Sequence, residues 1–132
     1  MQSGEFRFAY YAEDYEATIS FYEDDLGFKV AHRWNRGSDD AGTLFSAASG
    51  LVEILRLPRG QTFGRQRGAV VIEVDDVDAW SDRLRQAAVS IDQQPTDKPW
   101  GHRDLVIHDP SGLRLVFFSP LVGSGDERPA GR

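Results

Sequence analysis

Apolar and polar positions change period along the chain in one order, and that order then begins again. From Phe6 to Tyr11 aromatic and smaller residues alternate, the period-two signature of a strand. Asp14 offers an N-cap, and Ile19, Tyr22 and Leu26 then fall at helical spacing among acidic residues, with Gly27 as the stop. Phe28 to Trp34 reads as a strand, the Ser-, Asp- and Gly-rich stretch 37–42 as a loop, and Thr43–Ala47 and Leu51–Leu57 as strands around Ala48-Ser49-Gly50. Pro58 to Gly68 has no apolar period and predicts a linker. Ala69 to Val74 is a β-branched strand, and Asp76 caps a helix with Val77, Trp80, Leu84 and Ala87 on one face. Pro95 to Gly101 reads as a loop, and Arg103–His108 and Leu113–Phe118 as strands around Asp109-Pro110-Ser111-Gly112.

The restart is an internal repeat. Asp14 pairs with Asp76 and Ala17 with Ala79, an offset of 76 − 14 = 62, and the same offset pairs Ser49-Gly50-Leu51 with Ser111-Gly112-Leu113. Each copy is a βαβββ module, which leaves one face of its sheet uncovered. A second copy supplies the partner surface. The expectation is an α+β fold of eight strands: two curved, mixed sheets enclosing a cleft, with a helix on the convex side of each. Module one spans about 5–57, the linker 58–68, module two about 69–120 and a flexible tail 121–132, all within a single domain over 1–132.

Composition narrows the partners. The chain has 132 residues, a formal net charge of −6 and no cysteine. Disulfides and thiolate metal sites are therefore excluded. An acidic chain without a basic stripe repels a phosphate backbone, so nucleic acid is not expected as a partner. Met1 to Gly4 lacks a basic n-region and an apolar run, and no stretch is apolar enough to span a bilayer. The expectation is a cytoplasmic protein with no membrane partner.

Three segments carry a family resemblance. Ser20-Phe21-Tyr22 with Leu26-Gly27-Phe28 resembles the first helix and turn of the glyoxalase / bleomycin-resistance / extradiol-dioxygenase (vicinal oxygen chelate) superfamily. Asp109-Pro110-Ser111-Gly112 resembles its last hairpin, usually Asp-Pro-Asp-Gly, with Ser111 as the departure. Lys98-Pro99-Trp100-Gly101-His102-Arg103 resembles the approach to that hairpin in the bleomycin-resistance members. The resemblance runs from about Phe6 to Pro120 and implies the paired-module fold and a homodimer.

Enzymes of that superfamily hold a divalent metal with two residues from each module. Carried over, those positions fall on Arg7, Glu53, Ala69 and Val116, of which only Glu53 has lone pairs to give. A strict offset of 62 instead pairs Glu53 with Leu115, which leaves its face open by one residue. No metal, cofactor or catalytic residue is expected, and His32, His102 and His108 read as surface or rim groups.

Strand alternation sets the faces. Leu105, Ile107, Leu113, Leu115 and Phe117 belong under the helix, so Asp104, Val106 and His108, with Arg114, Val116 and Phe118, face the cleft. Ala69, Val71 and Glu73 share a face, and Arg7 is expected to pair with Glu53 or Glu73 as a buried charge. Trp100, in its loop, is placed to stack on a planar ligand or to serve as a lid, and Trp34 is a second candidate wall. The candidate ligand-binding set is Trp100, Arg7, Trp34, Glu53, Glu73, Asp104, Val106, His108, Arg114 and Phe118.

These features favour a protein that binds a small organic molecule in a metal-free cleft, with antibiotic sequestration as the family precedent. The alternatives are a superfamily enzyme (lyase, isomerase or dioxygenase) with a displaced metal, and a metal-free enzyme using Glu53 or Glu73 as a base.

Overall fold

The computed structural model describes residues 4–121. The tail expected over 121–132 lies, from residue 122 onward, outside the described residues. The chain divides into two compact units: the first runs up to Gln66 and includes Asp109–Gly112, and the second comprises Arg67–His108 and the chain from Leu113.

In the first unit, β1 (Arg7–Ala12), α1 (Tyr15–Ser20), β2 (Lys29–Asn35), β3 (Ala41–Ala47) and β4 (Gly50–Arg56) follow in order. The sheet order is β1-β4-β3-β2, with β1 parallel to β4 and the other pairs antiparallel. Asp14 caps α1 by accepting from Ala17 N at 3.1 Å. The helix then widens into a π-helical turn over Phe21–Asp25, where Leu26 N donates to Phe21 O, and Gly27 ends it at φ +72°. Tyr22 is thereby fully buried, its ring 5.5 Å from that of Phe45. Val52 and Ile54 complete this core, each worth about 1.5–3 kcal/mol on burial.

The second unit repeats the arrangement with β5 (Ala69–Glu73), α2 (Val77–Gln86), β6 (Gln93–Asp97), β7 (His102–His108) and β8 (Arg114–Pro120), in the order β5-β8-β7-β6. Asp76 caps α2 through Ala79 N at 3.1 Å, the counterpart of the first cap. Leu84, Leu105, Ile107, Leu115 and Phe117 are all fully buried, and Trp80 stacks on Phe117 at 4.7 Å. Arg103 ties α2 to the sheet by bonding Asp78 and Asp97. Those hydrogen bonds hold its guanidinium pKa above the usual value and the Asp78 carboxyl below it. The result is the expected α+β architecture of two four-stranded mixed sheets and two helices, with eight strands among the described residues.

Two expectations are corrected. Pro95 does not begin a loop: it lies within β6, and the loop starts only after Asp97. A proline is tolerated there because β6 is an edge strand, and its register slips between Gln93 and Thr96. The strict 62-residue offset also fails inside the last strands. Arg7 stands opposite Leu51 and Ala9 opposite Glu53, whereas Ala69 stands opposite Arg114 and Val71 opposite Val116. Glu53 therefore corresponds to Val116 and not to Leu115, on the face away from the helix. No helix among the described residues is long and apolar enough to cross a membrane.

Candidate functional site

Each sheet has a face that its helix does not cover. On the first sheet, the register places Arg7, Ala9 and Tyr11 of β1 beside Leu51, Glu53 and Leu55 of β4. Gly42 and Leu44 of β3 follow, then His32 and Trp34 of β2. Arg7 Nη1 stands 3.3 Å from Glu53 Oε2, and Arg7 also bonds Glu5. These carboxylates raise the Arg7 pKa further, with Glu5 the larger cause. The expected partner is thus present, but the expected burial is not: the Arg7 side chain is 37% exposed against 15% for Glu53. Trp34 lies flat on this face. Its indole fills the space a Cβ on Gly42 would need, stacks on His32 at 5.8 Å and donates to Asp40 Oδ1 at 3.1 Å.

The second sheet brings six of the candidate residues onto one face, as alternation requires. Asp104 stands opposite Phe118, Val106 opposite Val116, and His108 opposite Arg114, with Glu73 on the other side of Phe118. Asp104, Val106 and Phe118 are buried, whereas Glu73, His108 and Arg114 are exposed. His108 is held by Asp92 at 2.9 Å. His102 is no rim residue: it is buried and stacked on Phe118 with ring centroids 4.3 Å apart. It sits two residues before Asp104, so the alternation that placed Asp104 also places His102. Trp100 occupies the turn before β7, half-buried, with Lys98 Nζ 5.7 Å from its ring centroid.

The residues present do not fit the superfamily's metal. Of the four positions, Ala69 and Val116 offer no donor atom, Arg7 offers a cation, and Glu53 is already ion-paired to that cation. No group of three or more His, Cys, Asp or Glu suited to a metal occurs among the described residues.

Two features of the first unit lay outside the sequence reading. One is a buried carboxylate: Asp109 accepts from the hydroxyls of Tyr10 and Tyr22, the latter at 2.8 Å, and from Ser111 N at 2.9 Å. Ser111 Oγ meets Thr18 Oγ1 at 3.0 Å. The turn motif was legible, but its tyrosine partners come from about 90 residues away in the chain and leave no local signal. The other is a pocket of about 560 Å³ between β1 and the connector after β4, walled by Ala9, Tyr11, Leu57, Pro58, Gln61 and Gln66.

Two βαβββ units with open sheets, repeating one strand order, define the paired-module class of small α+β proteins. The chain belongs to the Glyoxalase/Bleomycin resistance protein/Dioxygenase superfamily, whose sequence model matches residues 6–117. It is similar to TnmS3, an antibiotic binding protein from Streptomyces sp. CB03234, at 26% identity and a TM-score of 0.73 over 90% of this chain and 97% of that one. TioX from Micromonospora sp. ML1 has 22% identity and a TM-score of 0.75 over 90% and 100%. Lactoylglutathione lyase from Agrobacterium tumefaciens has 20% identity and a TM-score of 0.69 over 90% and 95%. No curated protein matches the chain.

Proposed function

We propose that this chain binds a small, partly planar organic molecule without a metal, sequestering it in the manner of an antibiotic-binding protein. One observation carries the reading: the superfamily's metal position is occupied by the Arg7–Glu53 ion pair, with alanine and valine at the other two ligand positions. A metal there would have to displace an arginine and be held by one carboxylate. The uncovered faces supply what a ligand site needs, apolar and aromatic walls with a few charged groups. Trp34, Arg7 and Glu53 provide them on the first sheet. Phe118, Val106, Asp104, Glu73, His108 and Arg114, with Trp100, provide them in the second unit. The likeness to TnmS3 supports the same reading, while the likeness to a lyase supports the fold alone.

Metal analysis after dialysis against a chelator is expected to find substoichiometric divalent metal, and a thermal-shift screen of a planar-molecule library to find hits that need none. A stoichiometric metal that survives dialysis and ligates Glu53 would overturn the proposal in favour of an enzyme.

We further propose a cytoplasmic homodimer. The exposed Val71 on the edge strand β5 supports the dimer. Light scattering at micromolar concentration checks it, and a monomer there removes it.

A further inference from the structure

We infer that the ligand is uncharged and rich in hydrogen-bonding groups, and that it is held in the pocket between β1 and the connector after β4. This rests on the small-molecule reading and specifies where in the first unit the ligand sits and what its chemistry is. The pocket, about 560 Å³, falls within the range that small-molecule sites occupy. Its wall on β1 is Ala9, Tyr10 and Tyr11, of which Tyr10 is buried and Tyr11 is 49% exposed. Leu57 and Pro58 extend the apolar wall, while Gln61, Thr62 and Gln66 supply two carboxamides and a hydroxyl.

None of the described residues lining this pocket carries a charge at neutral pH. The contrast within the same unit is a second pocket, about 410 Å³, lined by Glu13, Asp14, Glu16, Arg56 and Arg59 among others. There, Arg56 pairs with Glu16 and Arg59 with Asp39. A charged ligand entering the first pocket would lose hydration and find no counter-charge among the residues lining it, the nearby Glu53 being already paired with Arg7, which opposes its binding. A neutral molecule with donors and acceptors would exchange water for the amides and stack on Tyr11.

The connector wall is anchored on both sides. Arg59 N donates to Asp39 Oδ1 at 2.9 Å, and Gln61 N closes a turn on Pro58 O at 3.1 Å. Beyond the pocket, the Arg65 side chain lies against Gly112, where an added Cβ would stand 3.2 Å from Nε. Gly112 belongs to the turn whose Asp109 holds Tyr10 and Tyr22. Such a wall needs little ordering when a ligand arrives, which favours affinity.

A charge series on one molecular plane tests the inference. Acridone, proflavine and anthraquinone monosulfonate are all planar three-ring molecules, respectively neutral, cationic and anionic. Their titration, followed by ligand fluorescence or absorbance, is expected to show acridone binding about tenfold or more tighter than either ion. The net charge of −6 would by itself favour proflavine, so the neutral preference is a discriminating result. Tyr11→Ala and Gln61→Ala should each weaken acridone about fivefold or more, with Tyr11→Phe retaining most of the affinity. Both positions are exposed, and melting curves show whether each variant remains folded. Tighter binding of proflavine, no binding of acridone, or acridone affinity indifferent to Tyr11→Ala would each overturn the inference. If a hit from the library screen depends on Trp100 and not on Tyr11, the pocket assignment fails while the small-molecule reading stands.

Discussion

Replacement of Asp109 by alanine is expected to destabilise the protein by about 3–5 kcal/mol, because its buried donors lose their acceptor at about 1–3 kcal/mol each. The carboxylate is fully buried and serves three donors: the hydroxyls of Tyr10 and Tyr22 and the backbone N–H of Ser111. Melting should fall by about 10–20 °C. Asp109→Asn should cost less, because the amide oxygen still accepts one phenol. A loss below about 1 kcal/mol for the alanine variant would mean that the tyrosines find other partners.

The same cluster sets an alkaline limit. Burial, with the nearby negative charge of Asp109, raises the pKa of Tyr10. Burial is also the largest cause of the raised pKa of Tyr22, followed by Tyr10 and Asp109. A phenol whose pKa is raised on folding holds its proton more tightly in the folded state. Its contribution is therefore fully present below the unfolded value near 10 and is lost as pH rises past it. Stability should fall above pH 10 by up to about 1.4 kcal/mol per pH unit for each tyrosine. Tyr22→Phe should flatten that slope in urea melts taken across the alkaline range.

How much of this was legible in the sequence follows from how local each signal is. Caps are local: Asp14 and Asp76 precede their helices by one residue and act as written. Faces are nearly local, since alternation along β7 and β8 orders Asp104, Val106, Arg114 and Phe118 without knowledge of partners. The same alternation orders His102, which begins β7 one residue before Arg103. The π-helical turn at Phe21 keeps the apolar spacing of an α-helix and so was invisible. Edge status is not local, and it decided that Pro95 belongs to a strand. The pocket beside β1 depends on where a connector without periodicity folds back, through contacts such as Arg59 with Asp39. Nothing in Pro58–Gly68 announces them.

If the ligand stacks on Trp100 instead of on Tyr11, Trp100→Ala is expected to weaken its binding by about 1–3 kcal/mol, since interface aromatics dominate affinity. The indole is held in a tight turn closed by Gly101 N on Lys98 O at 3.1 Å, and Lys98 N bonds His102 O at 2.7 Å. Backbone bonds thus set the loop, so removing the ring should cost less stability than affinity. Lys98 is within cation–π range of one indole face, and its ammonium is held in turn by Gln93 Oε1 at 2.9 Å. A stacking ligand must use the opposite face or displace that ammonium. Lys98→Met therefore separates the two cases: it should tighten binding if the ligand competes with the cation, and leave it unchanged if the ligand takes the other face. The decisive comparison pairs titration with melting for wild type and Trp100→Ala, using any hit from the thermal-shift screen. Unchanged affinity together with a large fall in melting temperature would identify Trp100 as a lid that packs the turn, and stacking would then have to be assigned elsewhere.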